Sequence, residues 1–141
     1  MNFSYTDDLA GVSVLLVEDE ALLAIDVTSI IEMAGGRVVG PAYSLGQGFS
    51  WIGRGKFDCA VLDINLHDEL VFALADALVE RGIPIVFLSA HSLNIAPPHL
   101  RARRLVHKPF STYSLIKAIR EEVAGKRAAA SPQPPTKPAA A

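Results

Sequence analysis

The chain has very little cysteine. Cys59 stands alone in 141 residues, so no disulfide can form within the chain, and a reduced, cytoplasmic setting is expected. No apolar run approaches the roughly 20 residues that span a bilayer, so no membrane association is expected. The start, MNFSYTDDLAG, is polar and acidic, without the basic residues or apolar core of a secretion signal. There is no basic excess either. Thirteen Lys and Arg face fifteen Asp and Glu, a net charge of -2, which argues against a nucleic-acid surface. The cluster Arg101, Arg103, Arg104 reads as a solvated face. The four histidines, His67, His91, His99 and His107, have no zinc-site spacing and read as loop or surface residues. The glycines of GQGFSWIGRG fit neither a P-loop nor a dinucleotide fingerprint.

What is present is alternation. Apolar runs of strand length, VSVLLV (12–17), RVVG (37–40), CAVLDI (59–64), IPIVFLS (83–89) and RLVH (104–107), are separated by segments of helical period. Helices are expected over residues 20–34, 44–52 and 69–80, and after Ser111, whose hydroxyl can cap the last one. Trp51 and Phe49 are expected to pack the second helix, and Cys59 to lie in the core. Strands without polar alternation are covered on both faces. The expected architecture is therefore α/β, a doubly wound five-stranded parallel sheet. Pro97 and Pro98 fall where a fourth helix should run, and two prolines cannot sit inside one. That helix is expected to be short or absent. Residues 1–9 read as an N-terminal extension, 10–124 as one domain and 125–141, with four prolines and no bulky apolar residue, as a flexible tail.

Ligands of open parallel sheets bind beyond the carboxyl ends of the strands. There the sequence places Glu18 and Asp19 after strand one, Asp63 after strand three, Ser89 after strand four and Lys108 after strand five. Three adjacent acids, Glu18 to Glu20, are unfavourable at a buried strand end unless something positive sits among them. Carboxylates suit Mg²⁺, lysine suits phosphate, a serine hydroxyl can donate to a phosphoryl oxygen, and a carboxylate can be a nucleophile.

Those residues, in that order, resemble the receiver domain of bacterial two-component response regulators, the CheY-like or flavodoxin-like fold, over about residues 10–124. DINL, LADAL and RGIPIVFLS are similar to a divergent single-domain subgroup with a reduced fourth helix. The resemblance implies Asp63 as phosphoacceptor from a sensor histidine kinase or histidine phosphotransfer protein. It implies Mg²⁺ held by Asp19, Asp63 and the Asn65 carbonyl, with Glu18 acting nearby, and Ser89 and Lys108 on phosphoryl oxygens. It also implies a cis bond before Pro109, and a monomer or weak homodimer that is no enzyme beyond its own phosphorylation and dephosphorylation. Output would come through an unknown partner protein or by acting as a phosphate sink. The chain departs from the family at Leu105, where an aromatic switch residue is usual, at His67, where proline is usual, and at Val71, where glycine is usual. His91 and the 90–104 loop are expected to replace the switch. The alternatives are a receiver-like binding module independent of phosphorylation, and a small phosphatase, which Asn65 disfavours because such enzymes carry an acid there.

Overall fold

The computed structural model describes residues 7–67 and 69–130. Five parallel strands form one sheet: β1 (Ser13–Val17), β2 (Arg37–Ala42), β3 (Cys59–Asp63), β6 (Ile85–Ser89) and β7 (Arg104–His107), in the order β2-β1-β3-β6-β7. Between β3 and β6, the short strands β4 (Asn65–Leu66) and β5 (Glu69–Leu70) pair with each other as an antiparallel hairpin. Among the described residues, four helices flank the sheet: α1 (Ala21–Met33), α2 (Leu45–Ile52), α3 (Phe72–Glu80) and α4 (Thr112–Ala130). This is the doubly wound, flavodoxin-like arrangement.

The unbroken apolar strands follow from side-chain alternation between two covered faces. Val14 and Leu16 join Ile31 of α1 and Leu115 and Ile119 of α4 in one core. Leu15 and Val17 point the other way, to Leu74 and Leu78 of α3. Cys59 is buried in the first core, as its strand position predicts. Phe49 differs from expectation. It is exposed on α2, while Trp51 is partly buried and carries Arg54 over its ring at 4.7 Å.

Element boundaries shift where local chemistry outweighs periodicity. The third helix starts at Phe72 rather than residue 69, because the chain first folds back in the β4–β5 hairpin. Val71 N–H then closes the excursion on the Ile64 carbonyl at 3.1 Å. The fourth-helix region holds two single 3-10 turns, Leu93–Ile95 and Pro98–Leu100, and Leu93, Ala96 and Leu100 still bury themselves in the second core. The double proline is accommodated because Pro98 opens a turn, where its missing N–H is not needed.

Both termini of the expected domain move outward. Leu9, assigned to an extension, is fully buried, and its N–H donates to the Ala34 carbonyl at 2.8 Å. At the other end α4 continues past residue 124 to Ala130, since an alanine-rich segment keeps its helix propensity without an apolar stripe. The rest of the expected tail, residues 131–141, and residues 1–6 lie outside the described residues.

One glycine positions the functional edge. Gly40 has φ +95°, and a Cβ there would sit 2.7 Å from the Ala42 backbone nitrogen. The pairing of β1 with β2 shifts register between Leu15 and Val17, and the Ala42 carbonyl then accepts the Glu18 N–H at 2.9 Å. Gly46 in α2 has open space around it. Gly40→Ala is therefore expected to cost about 1–3 kcal/mol, whereas Gly46→Ala gains about 0.4–1 kcal/mol. Urea unfolding midpoints of the two variants measure this, and equal midpoints would contradict it.

Candidate functional site

The strands end together along one edge, and main-chain bonds carry the alignment one residue further. Glu18 follows β1 on the Ala42 carbonyl, and the Lys108 N–H donates to the Ser89 carbonyl at 2.9 Å beyond β7. The Lys108–Pro109 bond is cis, as is Gly40–Pro41. Among the described residues, Glu18, Asp63 and Ser89 are buried although polar.

Their side chains form a charged cluster. One oxygen each of Glu18, Asp19 and Asp63 lie within 4.8 Å of one another. Lys108 Nζ donates to Asp63 Oδ2 at 2.8 Å and stands 3.7 Å from Glu18 Oε2. The other Asp63 oxygen, Oδ1, accepts the Asn65 N–H at 3.0 Å, so both carboxylate oxygens are held. Asn65 itself is exposed at the start of the hairpin. Glu18 Oε1 accepts the Glu20 N–H at 3.1 Å, but Oε2 is buried without a hydrogen-bond partner. Ser89 stands at the same edge, with its Oγ accepting the His91 N–H at 3.0 Å. That leaves its own hydroxyl proton free to donate.

Electrostatics follow from this crowding. Burial, then the contact with and the charge of Asp63, push Glu18 up to about 8, against the Glu20 N–H and Lys108. Burial works to lower the Lys108 pKa, but the hydrogen bond and charge of Asp63, with Glu18 and Glu20 behind, hold it above its ordinary value. The lysine stays charged and Asp63 is its partner. Three carboxylates around an orphaned, buried oxygen fit a hard divalent cation, which would satisfy Glu18 Oε2 and relieve the repulsion. Cys59 supplies no chemistry here, because burial pushes its thiol up to about 12.

The structure thus gathers Glu18, Asp19, Asp63 and Lys108, and places Asn65 and Ser89 beside them. His67 is exposed in a turn, as the sequence reading of a loop or surface histidine expects, and its Nδ1 lies 3.0 Å from Asp19 Oδ2. That contact was not foreseen, because NLHDEL continues into a helical pattern. Leu105, at the switch position, packs against the second core.

The raised Glu18 pKa has a signed consequence. Without divalent cation the native state keeps a proton on Glu18 that the unfolded chain has lost, between about 4.5 and about 8. Folding stability should therefore fall as pH rises through that window. Glu18→Gln should flatten the slope in chemical denaturation, and an unchanged slope would contradict the assignment.

The profile of the response regulator receiver domain matches residues 14–120. No curated protein sequence matches the chain. Among solved structures, the response regulator PhyR from Brucella abortus superposes with a TM-score of 0.77 at 24% identity, over 89% of this chain and 53% of that one. The anti-anti-sigma factor PhyR from Bartonella quintana gives 0.75 at 28% identity, over 84% and 49%. The chain thus spans about half the length of these two PhyR proteins. SdrG from Sphingomonas melonis Fr1 gives 0.70 at 29% identity, over 84% of this chain and 98% of SdrG. Among the described residues no helix is long and apolar enough to cross a membrane. The chain belongs to the response regulator receiver domain family and is a receiver-type signalling protein.

Proposed function

We propose that Asp63 accepts a phosphoryl group from a phosphohistidine on a sensor histidine kinase or histidine phosphotransfer protein. A carboxylate oxygen of Asp63 attacks phosphorus, the P–N bond breaks with its electron pair going to the imidazole, and an acyl phosphate forms. The observation that carries this reading is the 2.8 Å bond from Lys108 to Asp63 at the rim where the acids converge. Lys108 holds Asp63 through its short hydrogen bond before transfer, then follows the negative charge onto a phosphoryl oxygen. Ser89 donates its free hydroxyl proton to another. Asp19, Asp63 and the Asn65 carbonyl would hold Mg²⁺, with Glu18 close by. The bound cation supplies neutralisation of the charge that builds on the phosphoryl oxygens. Hydrolysis of the acyl phosphate then returns Asp63 and ends the signal.

Output runs through contact with another protein, from the β7–α4 face and the 90–104 segment, or the protein drains phosphoryl groups as a sink. A binding module independent of phosphorylation is the second reading. It is favoured by Leu105, which is packed against the core where the family's relay needs a swinging ring.

Acetyl phosphate with Mg²⁺ should add the mass of one phosphoryl group, seen by intact mass spectrometry. The gain should vanish in Asp63→Asn and form about tenfold or more slowly in Lys108→Ala. No gain in the unaltered chain would select the binding module.

A further inference from the structure

The sheet has two open edges, and they differ. At one, β2 is interrupted by Gly40, with φ +95°, and by Pro41, which has no N–H to offer. At the other, β7 pairs with β6 alone and keeps an unbroken register from Arg104 to His107. Backbone groups of successive residues point to opposite sides of a strand. The Lys108 N–H turns inward to the Ser89 carbonyl, so Val106 faces β6 as well. The N–H and C=O groups of Leu105 and His107 therefore point away from the sheet. Among the described residues no protein group takes them up.

A hollow of about 570 Å³ runs along this edge, between β7 and the first turns of α4. Tyr113 of α4 is 53% exposed on its wall, and Lys117 extends over that ring at 5.8 Å. Among the described residues, the basic side chains of the lining are Arg104, His107 and Lys117, and no carboxylate lines it. Glu121, outside the lining, holds Arg104 at 3.1 Å, whereas Lys117 has no carboxylate partner among the described residues. Outward backbone groups call for an extended segment, which presents carbonyls and N–H groups in alternation. The cations decide which one. A second copy of this chain, pairing β7 with β7, would bring the same cations against these. Residues 1–6 contain no Asp or Glu, and residues 131–141 contain Lys137 and no Asp or Glu. An acidic segment of another protein has the matching charge.

We propose that β7 takes up an acidic, extended segment of a partner protein as an added strand of the sheet, held by the outward groups of Leu105 and His107 and selected by Lys117. The inference rests on the reading that output runs through protein contact at the β7–α4 face, and it supplies the chemistry of that contact. The edge fixes where the strand can lie. Pro109 has no N–H and ends the donors beyond His107. At the other end, the Arg103 N–H is already bonded to the Leu100 carbonyl at 3.1 Å.

The probes are fluorescent peptides of about ten residues: one alternating glutamate with valine, one alternating lysine with valine, and one with the glutamate sequence but N-methylated at its central amides. Binding to the full chain is read by fluorescence anisotropy before and after treatment with acetyl phosphate and Mg²⁺, and amide exchange at Leu105 and His107 by NMR. The glutamate peptide should bind about tenfold or more tightly than either of the others, and should slow exchange at both amides. Lys117→Glu, at an exposed position, should weaken it by about tenfold or more. Equal binding of the glutamate and lysine peptides, binding that survives N-methylation, or unchanged exchange at both amides would overturn the inference. Absence of binding in either state would overturn it too, and a phosphoryl mass gain in the same sample would leave the phosphotransfer reading standing. Peptide binding without phosphoryl uptake would uphold the strand addition and select the phosphorylation-independent module.

Discussion

Buried negative charge at the carboxyl edge of the sheet is the constraint around which this molecule is arranged. Glu18 is fully buried and Asp63 nearly so, and neither position would be tolerable without compensation. Lys108 provides it from the last strand, far away in the chain, through one short bond to Asp63 and a longer approach to Glu18. The compensation is incomplete. Glu18 keeps an oxygen that accepts no hydrogen bond and an affinity for a proton near neutral pH. A site held slightly short of positive charge is suited to binding it.

The fold gives those charges one place to be. Every strand of the central three is apolar on both faces, so polar side chains can appear only at strand ends. Parallel pairing puts those ends on the same rim. Small features then set the alignment: the Gly40 kink that slips β2 against β1, and the main-chain bonds that extend the ladders through Glu18 and Lys108. The segment after Ser89 departs from a helix without leaving the fold. Leu93, Ala96 and Leu100 keep the second face covered, Arg101 Nε holds the Ala96 carbonyl at 2.9 Å, and His99 pairs with Asp76 of α3 at 2.6 Å. The His91 N–H rests on the Ser89 hydroxyl at 3.0 Å, which ties the start of this segment to the carboxyl edge.

Much of this was legible before the structure. Period-free apolar runs read as strands covered on both sides, and Val14 to Val17 fill the two cores alternately as such runs must. The double proline foretold the missing helix. Glu18, Asp19, Asp63 and Lys108 could be collected on one rim because parallel topology places strand ends together. Less legible were features in which local pattern misleads. NLHDEL continues in helical register but folds as a hairpin, GKRAAA looks like a tail but carries α4 onward, and Leu9 looks like an extension but is core.

The amino-acid order by itself determined which residues could meet, since hydrophobic period sets strand and helix, and strand ends in a parallel sheet share an edge. Distances and degrees were decided only by the tertiary structure. Residue identity cannot say that Lys108 chooses Asp63 over Glu18, that one oxygen of Glu18 goes without a partner, or that a tight hairpin carries His67 to Asp19. Those depend on burial and on contacts between segments distant in the chain, which come into being only when the sheet has closed.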